Sequence, residues 1–298
     1  MEQREVLIIG YGRLGRRVAA HLQAAGYSVC AVRRSAGESD TAIRMVCADV
    51  TKPDTLNCIT ARRWCAVFIA LTADSFDAES YQRSYVDGLR NVIAALPASM
   101  GAESPLLFAS STSVYSQHNG EWVDENSATE PTGFSGKTML AAESLLSNSP
   151  LTGCALRYGG LYGGNTRHRL LERCANGDLC ARTPTVYSNR MHIDDAAALA
   201  AHLIKWHHSG GELANCYIGV DNDPAPLYDV MTWLARQLGA EATTDNETAK
   251  TSRPRGANKR CSNALIHSTG FRLTYPDYKS GYGSILRKSR LQTQTPQQ

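Results

Sequence analysis

Val6-Leu7-Ile8-Ile9-Gly10-Tyr11-Gly12-Arg13-Leu14-Gly15 is an aliphatic run that ends in GxGxxG. Four consecutive aliphatic residues without a polar break read as a strand buried on both faces, as in a parallel sheet. Beyond the glycines, Leu14, Val18, Ala19, Leu22 and Ala25 recur at helical spacing and stop at Gly26. The pattern predicts a helix over 13–25. Strand, glycine-rich turn and helix in that order form a dinucleotide-binding fingerprint. Gly10 allows the tight turn, Gly12 lets the backbone approach a pyrophosphate, and Gly15 lets the helix pack closely on the sheet. Tyr11, Arg13 and Leu14 complete the loop, and the free N–H groups of the helix end face the negative charge.

Working outward, strand-like and helix-like patterns alternate through the first half. Strands are expected at 28–33, within 42–50, at 65–71 and at 105–111, with a helix over 80–96 that stops at Pro97. That order predicts an α/β fold, a Rossmann-type doubly wound parallel sheet with a smaller C-terminal substrate lobe. The expected division is a Rossmann domain over 1–157, a lobe over 158–287 and a flexible tail over 288–298. Residues 190–220 are expected to return to the Rossmann sheet. Further strands are read at 151–158 and 215–220, and helices at 193–206 and 227–238. Residues 241–257 are polar with little periodicity.

The end of the second strand decides between cofactors. NAD enzymes usually place a carboxylate there for the ribose hydroxyls, whereas NADP enzymes place Arg near the 2′-phosphate. Here the residues are Arg33, Arg34 and Ser35, with no carboxylate before Glu38. Two guanidinium forks beside a hydroxyl suit a phosphate monoester, so NADP(H) is expected over NAD(H).

Composition narrows the class. The chain has 298 residues, 43% of them hydrophobic, with Lys+Arg 31 against Asp+Glu 28 and a net charge of +3. That balance excludes a polybasic arm or an acidic disordered chain. The apolar runs are strand-sized, well below the roughly 18 residues of a membrane span, and the charged start leads directly into a strand. Nine cysteines, an odd number with no CxxC pair, read as reduced thiols of a cytoplasmic protein. No metal is expected. His192 with Asp194 and Asp195 reads as a charged helix start, and His207-His208 lacks ligand spacing. From Lys250 to Arg290 ten basic residues face one carboxylate, Asp277. This segment, with Arg260 in it, flanks an anionic substrate or forms a solvated face. It has no groove-reading helix or aromatic platform, so nucleic acid is not the expected partner.

At Ser110-Ser111-Thr112-Ser113-Val114-Tyr115 the sequence resembles the extended short-chain dehydrogenase/reductases, the NAD(P)-dependent epimerase/dehydratase family. Other segments strengthen the likeness: Ala48-Asp49-Val50, Tyr85 to Val92, Leu156-Arg157-Tyr158 with Leu161-Tyr162-Gly163, and Met191-His192-Ile193-Asp194-Asp195. Arg167-His168, Asn189 to His192, Lys259 to Asn263 and Tyr275 to Tyr278 resemble the atypical, YeeZ-like bacterial group most closely. The resemblance implies that Asp49 and Val50 lie at adenine, Leu71 beside the cofactor, and Ser111 at the substrate oxygen. It also implies substrate contacts from Thr112, Ser113 and Arg167, and a homodimer through a four-helix contact that includes the 80–96 helix.

Family chemistry uses a YxxxK pair, in which the ammonium lowers the pKa of a phenol one helical turn away. Lys137 supplies the lysine, which the resemblance places on the nicotinamide ribose, but Gly133 stands where the tyrosine belongs. Tyr115 and Tyr158 read either as replacement acids or as packing tyrosines. Thr112 and Ser113 stand where the sugar dehydratases carry an Asp-Glu pair, which argues against dehydration. The expected activity is an NAD(P)-dependent oxidoreductase or epimerase-like reaction on a carbonyl or alcohol. The alternative is a catalytically weakened NADP-binding sensor or scaffold.

Overall fold

The computed structural model describes residues 4–35, 43–60, 62–97, 100–101, 103–164, 169–240 and 257–294. Seven parallel strands form the central sheet: β1 (Glu5–Ile9), β2 (Ser28–Arg33), β3 (Arg44–Cys47), β4 (Ala66–Ile69), β5 (Leu106–Ser111), β7 (Gly153–Tyr158) and β10 (Cys216–Gly219). Their order is β10-β7-β5-β4-β1-β2-β3. β6 (Glu121–Val123) pairs with β11 (Lys259–Cys261), and β8 (Gly160–Tyr162) with β9 (Arg190–His192), as two small parallel ribbons beside the sheet.

Strand alternation builds the two layers of core. Leu7 and Ile9 of β1 join Val67, Ile69 and Phe108 on one face, whereas Val6 and Ile8 join Phe68, Leu107 and Leu156 on the other. Each fully buried aliphatic side chain contributes about 1.5–3 kcal/mol. Helices α1 (Arg13–Ala24) and α7 (Ile193–His208) cover the second face through Val18, Leu22, Leu199 and Leu203. The first face is covered by α5 (Phe134–Ser147) and by a continuous helical segment. That segment consists of α3 (Ala78–Tyr81), a π-helical turn (Gln82–Asp87) and α4 (Gly88–Ala95). The single helix expected over 80–96 is therefore interrupted by a wider turn. α2 (Asn57–Thr60) is one short turn.

A third cluster lies outside the sheet, where α6 (Arg169–Ala175), α8 (Leu227–Leu238) and α10 (Tyr278–Gln294) pack through Cys174, Val230, Leu234 and Tyr282. α9 (Ala264–Ser268) packs toward the second face through Ile266. The tail expected from residue 288 is instead helical to Gln294. Tyr278, Tyr282 and Leu286 are buried at successive i+4 positions, so anchored turns propagate the helix beyond the polar sequence. The polar stretch 241–256 and the last four residues lie outside the described residues. Among the described residues no helix is long and apolar enough to cross a membrane.

Candidate active site

The strand order reverses between β1 and β4, and ligands of open α/β sheets sit at the carboxyl ends of the strands at such a point. There β1 ends in Gly10, whose φ is 95° and at which a Cβ would lie 2.1 Å from the Ala70 carbonyl oxygen. Only glycine fits between the two strand ends. A Cβ at Gly15 would lie 2.1 Å from the Gly10 oxygen, so α1 is seated against the turn. Gly12 differs: a Cβ there would meet nothing within 4 Å. Gly12 is also the N-cap of α1 and offers no capping side chain, which leaves the first N–H groups of the helix open toward the space in front.

That space is a cavity of about 750 Å³, within the size range of small-molecule sites. Gly10, Gly12, Arg13, Leu14, Gly15 and Leu71 line one end, and Ser110, Ser111, Ser113, Ser135, Met139 and Tyr158 line the other. Closed glycines behind and an open helix end in front are what a pyrophosphate requires, so the residues fit a dinucleotide. Arg13 reaches the turn that follows β8, where its Nη2 donates to the Gly163 oxygen at 2.8 Å. The Asp49 carboxylate accepts from the Thr51 N–H and hydroxyl at 3.0 and 2.8 Å, and Val50 is buried against Gly88. At the end of β2, Arg34 donates to Asp74 at 2.6 Å in an exposed pair, and Ser35 is exposed beside it. Arg33 is half-buried.

The catalytic expectations need three corrections. Lys137 is exposed and does not line the cavity. α5 begins at Phe134, and at 100° per residue Ser135 and Met139 share a face from which residue 137 points away. The pair that faces the site at YxxxK spacing is therefore Ser135 and Met139, with neither phenol nor ammonium. Gly136 fixes this phase, because a Cβ there would lie 2.3 Å from the Ser113 oxygen. The sequence carries the same signal in the buried row Gly136, Met139, Ala142, Glu143 and Leu146.

Tyr115 is fully buried. Its hydroxyl donates to the Asp124 oxygen at 2.9 Å and accepts from Arg157 Nη1 at 2.7 Å. Burial raises its pKa despite the guanidinium, so it is no proton donor to the cavity. Tyr158 borders the cavity with its ring, but its hydroxyl donates to the Ala196 oxygen at 2.8 Å. Burial pushes this phenol well above its ordinary value. Both tyrosines are packing residues.

Ser111 does face the cavity, and its Oγ accepts the Ser113 N–H at 3.1 Å. Thr112 opens the 3-10 turn after β5 and does not border the cavity, whereas Ser113 does. Arg260 is held elsewhere. Its Nε donates to the Gly120 oxygen at 2.8 Å, and its guanidinium stacks 5.1 Å from Trp122 and 4.9 Å from Tyr187. Arg167 lies outside the described residues.

Behind the serines, Ser110 Oγ donates to Glu143 at 2.5 Å, and Glu143 binds Arg157 through Nε and Nη2 at 3.1 and 2.8 Å. α7 starts with Asp194 and Asp195 in its first turn, as expected. His192 is the cap, its Nδ1 accepting the Asp194 N–H at 3.3 Å. Asp194 pairs with Arg17 at 2.6 Å, and buried Asp195 accepts the N–H groups of Thr274 and Tyr275. Among the described residues no group of three His, Cys, Asp or Glu is arranged to hold a metal ion.

A profile of the NAD dependent epimerase/dehydratase family matches residues 6–216, from β1 to the start of β10. The chain belongs to this family. Membership makes it an NAD(P)-dependent oxidoreductase or epimerase of the short-chain dehydrogenase/reductase superfamily. The chain is similar to a 3-diazoavenalumate denitrifying reductase of a Streptomyces species, 27% identical over 93% of this chain and 99% of that one. It is also similar to a Methylobacillus flagellatus structure assigned as an NAD-dependent epimerase/dehydratase. That structure is 36% identical over 97% of this chain and 100% of that chain, with a TM-score of 0.79. A human epimerase family protein solved with NADPH shares the fold at a TM-score of 0.74, with 15% identity over 95% of this chain and 99% of that one.

Proposed function

We propose that this family member is an NADP(H)-preferring oxidoreductase that interconverts a carbonyl and an alcohol without a tyrosine–lysine pair. One observation carries the reading: a single cavity joins the open end of α1 at Gly12 to the hydroxyls of Ser111, Ser113 and Ser135. The bound nicotinamide supplies or accepts the hydride, and reduction of C=O then needs one proton delivered to oxygen. Ser111, with its Oγ already accepting the Ser113 N–H, directs its own proton outward and orients that oxygen. Ser135 is within the same wall, and water relays the proton in place of the absent phenol. The smaller lobe, 158–287, closes over the substrate.

The 2′-phosphate is assigned to Arg33, Arg34 and Ser35, with Asp49, Val50 and Leu71 at the adenosine half. Arg34 is already charge-paired with Asp74, and a phosphate dianion outcompetes one exposed carboxylate as its partner. The relative named as a reductase favours the reducing direction. Nine free thiols suit a reducing, cytoplasmic compartment. A homodimer through the 78–95 segment is part of the same proposal.

Calorimetric titration tests the cofactor. NADPH is expected to bind the wild type at least about tenfold tighter than NADH, and Arg33→Asp to remove the difference. Equal or tighter NADH binding by the wild type overturns the preference. For turnover, NADPH oxidation is followed with a panel of carbonyl compounds. Ser111→Ala is expected to lower the rate by about 100-fold, the scale of one lost proton-transfer or oxyanion contact. An unchanged rate removes Ser111 from the mechanism.

A further inference from the structure

The outer wall of the cavity is aromatic: Phe76, Tyr81 and Tyr85 line it, and Phe134 braces them without bordering the cavity. Phe76 lies in the loop after β4, Tyr81 and Tyr85 on the 78–95 segment, and Phe134 at the start of α5. Phe76 meets Tyr81 at 5.5 Å and 87°, and Phe134 at 5.0 Å and 61°. Tyr81 meets Phe134 at 5.3 Å and 84°. These are edge-to-face contacts within the favoured range for aromatic pairs. The π-helical turn carries Tyr85 into the same wall, and wide turns of this kind recur at functional sites. Phe76 nevertheless remains 62% exposed.

Inward from the rings, Met139 and Leu161 continue the apolar surface to the serine hydroxyls. Among the described residues, Arg13 is the one charged side chain that borders the cavity, at its cofactor end. A sugar needs a polar partner for each hydroxyl that it buries; the serine hydroxyls gather at one end, and Phe76, Met139 and Leu161 offer none. A flat, apolar ring with a single oxygen at one end matches the distribution of groups.

We propose that the wall of Phe76, Tyr81 and Tyr85 selects a planar aromatic carbonyl compound, with its ring against these side chains and its oxygen toward Ser111 and Ser135. The assignment rests on the oxidoreductase reading of the same cavity and names its substrate class. Phe76 is the residue of this wall most open to substitution, because it is the most exposed of the three and lies outside the buried core.

The test uses the full chain saturated with NADP⁺, so that no hydride is available and binding alone is read. Benzaldehyde and cyclohexanecarbaldehyde, which differ in ring planarity, are titrated alongside UDP-glucose. Benzaldehyde is expected to bind about tenfold tighter than the alicyclic aldehyde, which corresponds to ~1.4 kcal/mol. Phe76→Leu is expected to shrink that ratio below about threefold, and Phe76→Tyr to retain it. Equal binding of the two aldehydes, or tighter binding of UDP-glucose than of either, overturns the substrate class. Failure of NADP⁺ itself to bind overturns the oxidoreductase reading. NADP⁺ binding without an aromatic preference overturns this inference alone.

Discussion

Replacing Glu143 by leucine should destabilise the protein far more than removal of an exposed ion pair. Both partners are 9% exposed at the side chain, and the carboxylate takes three guanidinium contacts, at 3.2, 3.1 and 2.8 Å, as well as the Ser110 hydroxyl. Burial works against the Arg157 charge, but Glu143 holds its pKa above the ordinary value. Without the carboxylate a buried cation is left, among the described residues, with the Tyr115 hydroxyl and ring as its close partners. Breaking such a pair costs about 3–5 kcal/mol, or roughly 5–8 °C in Tm for a chain of this size. In Glu143→Leu/Arg157→Met both charges go, and Tyr115 keeps its bond to Asp124. The double variant should therefore return to within about 1–2 kcal/mol of wild type. Urea unfolding of the four proteins completes the cycle. A loss below about 1 kcal/mol in Glu143→Leu, or a double variant as unstable as the sum of the singles, would refute the reasoning.

Three further outcomes follow from particular contacts. Gly12→Ala should keep the wild-type melting temperature yet weaken NADPH binding by about tenfold or more, since its Cβ meets no protein atom within 4 Å and would occupy the space proposed for the pyrophosphate. Gly10→Ala should fail by thermal melting instead, because its Cβ collides with Ala70 at positive φ; a normal melt would contradict the packing. Ser135→Tyr/Met139→Lys should create a phenol–ammonium pair one turn apart and raise NADPH-dependent carbonyl reduction by roughly tenfold or more. The alkaline limb of the rate profile should then report the new phenol, and an unaltered profile would show that this helix face does not reach the reacting oxygen.

Asp221 is 2% exposed, and Arg190 stops 3.8 Å from its Oδ2. Desolvation therefore outweighs the guanidinium and raises the carboxyl from 3.8 to about 7. The folded state keeps a proton that the unfolded chain releases, so this group's contribution is complete below about pH 4 and is lost as pH rises to 7. The loss amounts to about 4 kcal/mol. Asp221→Asn should remove that slope in urea melts compared at pH 5 and pH 8, and an identical slope in both proteins would count against the assignment.

The sequence alone determined the sheet, the glycine-rich turn and the family. β1 was legible because four aliphatic residues in a row must be covered on both faces, and α8 because its apolar stripe and closing glycine bound it at 227 and 238. Gly10 and Gly15 declared themselves because a tight turn and close packing exclude side chains locally, and Gly12 by its place between them at the start of the helix. These are short-range constraints, and short-range patterns record them.

The catalytic half depended on contacts that no local pattern encodes. Lys137 occupied the lysine position of the family motif, yet the packing of Gly136 on Ser113 turned it to solvent and brought Ser135 and Met139 inward. Tyr115 and Tyr158 had suitable chemistry, but Asp124, Arg157 and Ala196 claim their hydroxyls from elsewhere in the chain. The aromatic wall was invisible for the same reason. Phe76, Tyr81 and Phe134 meet only after β4, the 78–95 segment and α5 have docked on one face of the sheet. Periodicity says that a side chain is buried; long-range packing decides which atoms it meets and which face of a helix reaches the substrate.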